Sequence, residues 1–337
     1  MFKRKKGRLR LQRAPLLLCV AAVNLGWSLC AHAKATFTTF DPQEFSTTTV
    51  TNINHGVVTG YYGDSNHAHG FVRAADGTIT TFDPPNPKFT FSQAINAVGA
   101  ITGYFQDNAG GGYQGFVRTT DGVITAFEVP GADGTEAYSI NKKGEIAGSY
   151  VVAGARHGYA RKANGKITTF DPPESTYTQP GGINNEGAVA GYYNDAGGAR
   201  HGFLRAADGT ITAIDPFGST ATNAVAINSK GAVAGSFTDA NGDHGYVRSA
   251  DGTFTTFDIS GCSDPGVLGL DDQGRVTGFC SDDDGNYHGF ERRPDGKSTV
   301  FEYPGTTFTL GVSIFAGTIA GQYSDADGYL HGYLRSR

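Results

Sequence analysis

From residue 36 onward, apolar and polar residues alternate in runs of four to six positions, such as Thr210-Ile211-Thr212-Ala213-Ile214-Asp215, each bounded by Asn, Asp or Gly. Alternation of period two puts successive side chains on opposite faces of an extended chain, and the Asn, Asp and Gly punctuation supplies tight turns between such chains. No window beyond the first 33 residues carries a 3.6-residue apolar period. The pattern therefore predicts strands and hairpins without helices.

The runs recur. A His-Gly-Phe tripeptide or close variant stands at His69-Gly70-Phe71, Gln114-Gly115-Phe116, His157-Gly158-Tyr159, His201-Gly202-Phe203, His244-Gly245-Tyr246, His288-Gly289-Phe290 and His331-Gly332-Tyr333, at intervals of 45, 43, 44, 43, 44 and 43 residues. Each copy divides into four short segments. The first ends in Ile-Asn, from Ile53-Asn54 to Ile227-Asn228, with Leu270-Asp271 in the sixth copy and Ile314-Phe315 in the seventh. The second is an apolar run through a glycine, as in Val189-Ala190-Gly191-Tyr192-Tyr193; the third is the His-Gly-Phe run, and the fourth follows a turn such as Asp208-Gly209. Four antiparallel strands repeated at this period predict an all-β fold, a seven-bladed β-propeller spanning residues 34–337 as one domain. The seventh copy stops at Leu334-Arg335 without a fourth segment, while Thr36-Phe37-Thr38-Thr39-Phe40-Asp41 is an orphan fourth segment at the other end. The pattern predicts that this N-terminal strand completes the last blade and removes an open sheet edge.

The repeat resembles the bacterial extracellular repeats of the HAF family, named for a His-Ala-Phe core. Here the core is His-Gly-Phe or His-Gly-Tyr, usually followed by an aliphatic residue and Arg rather than the family's usual Trp. The resemblance covers about residues 36–335 and implies a secreted or cell-surface protein. It brings no agreed activity and no catalytic residues.

An acid follows each fourth segment, 14 residues after the start of the His-Gly-Phe run, giving His69/Asp83, Gln114/Glu128, His157/Asp171, His201/Asp215, His244/Asp258 and His288/Glu302, with His331/Asp41 across the closure. Cross-strand neighbours on a hairpin lie within hydrogen-bond reach. One such pair would suit a catalytic dyad. Seven at radially separate places read as a brace between the third and fourth strands of each blade.

Composition narrows the class. Aromatics at 12% and a net charge of −5 exclude a disordered chain. Residues 1–13 carry seven Lys and Arg and no acid; an apolar stretch from Ala14 to Leu29 and then Ala31-His32-Ala33 follow, the layout of a secretory signal cleaved after Ala33. Cleavage leaves 20 Lys and Arg against 32 Asp and Glu, a charge of −12. That balance argues against nucleic acid or an anionic membrane surface as partner, and the cleaved chain has no segment to insert in a membrane. Cys262 and Cys280 then remain, suiting one disulfide in an extracellular or periplasmic compartment.

No zinc-ligand spacing, P-loop or dinucleotide fingerprint occurs, so no cofactor is expected. Asp282, Asp284, Asp325 and Asp327 imitate the opening of a calcium loop, without the distal Glu that completes one. The fourth-to-first connections differ most among copies and carry Phe89, Phe91, Glu136, Tyr138, Tyr177 and Phe308, aromatics and an acid suited to a sugar or an extended polymer or, alternatively, to packing between blades. The leading reading is a secreted binding module for a glycan or a surface protein. The alternatives are a polysaccharide lyase or hydrolase, with Glu136, Tyr138, Glu174 and Tyr177 as its nearest candidates, and a purely structural surface protein.

Overall fold

The alternating runs are strands. The computed structural model describes residues 35–44 and 46–336, and the expected export signal lies outside them. Among the described residues there are twenty-eight strands and no helix, hence no helix long and apolar enough to cross a membrane.

An isolated strand, β1 (Thr36–Phe40), comes first. Then come β2 (Thr47–Asn54), β3 (Val57–Gly63), β4 (Ala68–Arg73) and β5 (Ile79–Phe82). The second four are β6 (Pro87–Ile95), β7 (Ile101–Asp107), β8 (Gln114–Arg118) and β9 (Ile124–Phe127). The third are β10 (Gly134–Ile140), β11 (Ile146–Val152), β12 (Ala155–Arg161) and β13 (Ile167–Phe170). The fourth are β14 (Tyr177–Ile183), β15 (Val189–Asn194), β16 (Arg200–Arg205) and β17 (Ile211–Ala213). The fifth are β18 (Ala221–Ile227), β19 (Val233–Asp239), β20 (Gly242–Arg248) and β21 (Phe254–Phe257). The sixth are β22 (Ser263–Leu270), β23 (Val276–Ser281), β24 (Tyr287–Arg292) and β25 (Ser298–Phe301). Last are β26 (Thr309–Phe315), β27 (Thr318–Ser324) and β28 (Leu330–Ser336).

Each four pairs antiparallel in chain order, as β2-β3-β4-β5 does. The last three strands take β1 as their fourth, Phe40 standing opposite Gly332. Parallel bridges, such as Ala68 to Phe89 and Arg156 to Tyr177, join the first two meanders into a sheet of eight strands and the next three into one of twelve, and the sixth and last meanders are sheets of four.

The core is built from one repeated wedge. The aromatic of each His-Gly-Phe tripeptide is fully buried, from Phe71 through Tyr333. On one side Phe71 covers Gly60 of its neighbouring strand: a Cβ there would lie 2.1 Å from the Thr49 carbonyl and 2.8 Å from the Phe71 ring. On its own strand, Gly70 lies under Phe82 of β5, where a Cβ would come within 2.7 Å of that ring. Only glycine allows both approaches.

Phe82 then packs edge-on against Phe116 of the next meander, with ring centres 6.1 Å apart, and Arg118 lies over its face at 4.8 Å. Phe40 of β1 meets Phe71 and Arg73 of the first meander in the same way. Between the fourth and fifth meanders Ile214 replaces the phenylalanine and packs in one cluster with Tyr246.

Asparagines stitch the first strands together. Asn96 Nδ2 donates to the Asn141 carbonyl at 2.9 Å, Asn141 to Asn184 at 2.8 Å and Asn228 to Asp271 at 3.1 Å, while their Oδ1 atoms cap their own turns. Asp271 breaks the series. Its Oδ1 caps the turn, but Oδ2 is buried without a hydrogen bond, with Arg275 Nη1 at 3.7 Å, and burial raises its pKa. Cys262 and Cys280 form a disulfide across the entry to the sixth meander, tying the segment before β22 to β23.

Replacing Asp271 by Asn removes the buried charge and restores at this position the amide of the other copies, and is expected to stabilise the protein by about 1 kcal/mol. A denaturant melt checks this. An unchanged or lower midpoint would show that the carboxylate is better held than the amide would be.

Candidate functional site

All six His–carboxylate pairs are in contact. His69 Nδ1 stands 2.7 Å from Asp83, His157 2.8 Å from Asp171, His201 2.9 Å from Asp215 and His244 2.6 Å from Asp258. His288 lies 3.5 Å from Glu302, and His331 lies 2.8 Å from Asp41. A threonine of the following first strand completes the brace in three places: Thr48, Thr90 and Thr178 donate to Asp41, Asp83 and Asp171.

In the last four meanders the other ring nitrogen meets a second acid. His201 faces Asp195, His244 faces Asp239, His288 faces Asp282 and His331 faces Asp325, at 2.9–3.4 Å. This second partner explains the acidic loops. Asp282 Oδ1 accepts the Asp284 and Asn286 amides while Oδ2 takes Asn286 and His288, and Asp325 is used in the same manner. No group of three or more His, Cys, Asp or Glu able to hold a metal ion occurs among the described residues.

A different cluster lies where the first strands begin. Phe91 of β6 packs against Tyr61, Tyr104, Tyr113 and, in parallel stacking, Phe89. Tyr104 reaches Tyr138 of β10 at 6.0 Å. Tyr138 donates to Glu136, and Arg156 of β12 forks onto both oxygens of Glu136 at 2.9 and 3.1 Å while also reaching the Tyr138 hydroxyl at 2.8 Å. Beyond it comes a stack: Arg156 over Tyr177, Tyr177 parallel to Tyr192, and Arg200 over Tyr192 at 4.6 Å.

Burial, with the Glu136 charge second, pushes the Tyr138 phenol well above its ordinary value, and burial does the same to Tyr104. Burial works against the charge of Arg156, but Glu136 and Tyr138 outweigh it and keep the guanidinium protonated. These rings are neutral donors and flat apolar faces. They offer no base.

Two adjoining cavities, about 290 and 470 Å³, are lined by the first strand of every meander. The smaller lies among the Ile-Asn ends, and the larger opens beside the aromatic cluster. One arc of the larger wall is polar (Thr51, Gln93 and Tyr138) and the opposite arc apolar (Val225, Leu268 and Val312).

Solved structures share this architecture. The chain superposes on virginiamycin B lyase from Staphylococcus aureus with a TM-score of 0.60 at 16% identity, covering 90% of this chain and 99% of that one. The β-propeller domain of the Trilobed protease from Pyrococcus furiosus gives 0.64 at 9% identity, covering 87% and 94%. The fold is a β-propeller. A streptogramin B lyase structure aligns with a TM-score of 0.59 at 14% identity over 90% of this chain and 98% of that one. At these identities the likeness is one of fold alone. Sequence comparison with models of known families and with curated proteins finds no match.

On the propeller the candidate residues divide. Phe89, Phe91, Glu136, Tyr138 and Tyr177 join one contiguous group, whereas Phe308 packs in a separate one with Tyr287, which also contacts Phe279. Glu174 sits exposed in a turn at φ 61°. Tyr61, Tyr104, Tyr192, Arg156 and Arg200 escaped the sequence reading. Yet each follows the second-segment glycine or precedes the histidine of its repeat, so comparing copies at those two positions would have found them.

The braces carry a pH dependence. Asp215 holds the His201 imidazolium above its ordinary 6.5, and Asp258 does so for His244; for His331 burial pulls down, but Asp41 and Asp325 outweigh it. Their stabilisation is complete below 6.5 and is lost as pH rises through the raised values. The Ala199 amide chiefly lowers Asp195 and the Asn241 amide Asp239, while His288 and His331 chiefly lower Asp282 and Asp325. That contribution is complete above 3.8 and fades as pH falls through the lowered values. Thermal stability is therefore expected to fall as pH rises from 6.5 through these raised values, with His201→Gln, His244→Gln and His331→Gln combined flattening the slope. A melting series in which the triple variant keeps the parent slope would remove the histidines as its cause.

Proposed function

We propose that the chain is an exported, closed seven-bladed propeller of HAF-type repeats that works as a binding module at or outside the cell envelope. Its ligand is a glycan held at the mouth of the larger cavity. The single observation that carries this is the half-buried aromatic floor from Phe91 through Tyr104 to Tyr138, which Arg156 links to the Tyr177–Tyr192 pair, beside an open cavity of about 470 Å³. Flat aromatic faces accept the C–H faces of sugar rings, while Gln93 and Gln179 line the cavity as hydrogen-bonding groups for hydroxyls.

Closure is supported by side chains that span the first and last meanders. Val50 N donates to Gln322 Oε1 at 3.2 Å, and Asn52 and Ile53 both reach Ser313 Oγ at 3.3 Å. His331, Asp41 and Thr48 form one brace across the same seam. The oxidised Cys262–Cys280 pair agrees with an extracellular or periplasmic setting.

Binding is favoured over catalysis in the aromatic cluster because its acid, Glu136, has both oxygens occupied by Arg156 and its neighbour Tyr138. A general acid or base needs a free carboxyl within reach of substrate.

Two measurements test the reading. Removing residues 36–41 takes away β1 with Phe40 and Asp41, and a marked drop in Tm is expected; an unchanged cooperative melt would refute closure by this strand. A glycan-array screen should find a ligand whose affinity falls at least about fivefold in Phe91→Ala and Tyr177→Ala, each melting as the parent does. A ligand bound equally well by both variants would place the site elsewhere.

A further inference from the structure

The wall of the larger cavity comes from the first strands everywhere except at the fourth meander, where Tyr192 of β15 also reaches it. Gly181 stands there in the place held by Gln93, Tyr138 and Val225 in neighbouring copies. A Cβ at Gly181 would lie 2.6 Å from the Val225 carbonyl, so the adjoining first strand closes over this position and no side chain stands there. The Tyr192 ring is the part of the wall that the fourth meander adds.

Over that ring lies Arg200. Its Nε donates to Asn194 Oδ1 at 3.4 Å and its Nη1 to Asn223 Oδ1 at 3.1 Å. These neutral acceptors fix the guanidinium's orientation, use two of its five N–H groups and leave its charge intact. Among the described residues Arg200 makes no ion pair, whereas Arg156, at the other end of the same stack, is neutralised by Glu136.

Resting on the glycan-binding reading above, we propose that Arg200 is the anion-recognition residue of this site. It pairs with a single carboxylate on a sugar bound at the mouth of the larger cavity beside Tyr192. A guanidinium fork matches a carboxylate's two oxygens, and its stacking on Tyr192 keeps it flat and available. The chain carries more acid than base, with 32 Asp and Glu against 27 Lys and Arg, so it repels a dense polyanion. The ligand therefore bears isolated acidic sugars within an otherwise neutral chain.

Calorimetry with an oligosaccharide ending in one glucuronic acid, and with its carboxyl-reduced counterpart, tests this. The acid form is expected to bind roughly tenfold or more tightly than the neutral form. Arg200→Gln should bring that ratio close to one while leaving affinity for the neutral form in place. Asn223→Asp, which hands Arg200 an internal carboxylate without changing side-chain shape, should do the same, with its melting curve reporting that the seam is intact. Equal binding of both oligosaccharides by the parent, or a ratio untouched in both variants, overturns the assignment of Arg200 and leaves the glycan reading standing. Binding of neither overturns both.

Discussion

Every meander depends on one contact: a fully buried aromatic on the third strand, pressed against a glycine of its own sheet and against an outer-strand side chain of the preceding meander. The contact is steric before it is energetic. Phe71 approaches the backbone of β3 so closely that no side chain fits at Gly60, and Phe82 covers Gly70 so closely that none fits there either. Burying a ring of this size removes more apolar surface than any aliphatic could, in sheets whose strands are only three to nine residues long. A small sheet with no helix to cover it finds its core at the junction with its neighbour. The wedge thus makes each meander incomplete alone.

The polar contacts follow from that geometry. Because the wedge sets how neighbouring meanders approach, the acid ending the fourth strand arrives beside a histidine in six meanders and, at three junctions, beside a buried threonine of the next meander on the other side. At the opposite end of the first strand, the turn asparagine caps its own loop with its oxygen and donates its amide to the neighbour. Each braces a junction that the aromatic has already aligned. Charge-assisted bonds at exposed rims are weak singly, but their repetition at every brace holds the outer strands, where little apolar surface is buried.

This division explains what could be read in advance. Strand order, hairpin turns, the pairing of β1 with β28 and the His–carboxylate register were legible because each is written several times, and recurrence at 43–45 residues separates signal from accident. Glu136, Tyr138 and Phe91 were legible because their stretches differ most among copies, although they lie on the first strands β6 and β10 and not, as the sequence suggests, in the connections before them. Arg156, Arg200 and Tyr192 were not, because they sit inside regular strands whose alternation looks the same whether a side chain faces solvent, a cavity or a neighbour. The second acids on His201, His244, His288 and His331 were also hidden: their loops read as turns, and as turns they serve, with one oxygen left to reach the ring.

A repeated scaffold can build an asymmetric site only from positions that the wedge and braces leave free. The residue after the second-segment glycine is one: it is Tyr61, Tyr104, Ser149, Tyr192, Ser236, Phe279 and Gln322 in successive copies. The residue before the histidine is another, with Tyr113, Arg156 and Arg200 in adjacent copies. The first lies one step from a glycine that packing fixes and the second one step from the brace position, so their backbone is placed by the repeat while their chemistry is open. The aromatic cluster and its two arginines draw on these positions in the first four copies. The asymmetry of the larger cavity's wall is therefore carried by departures from the repeat, held in register by the repeat itself.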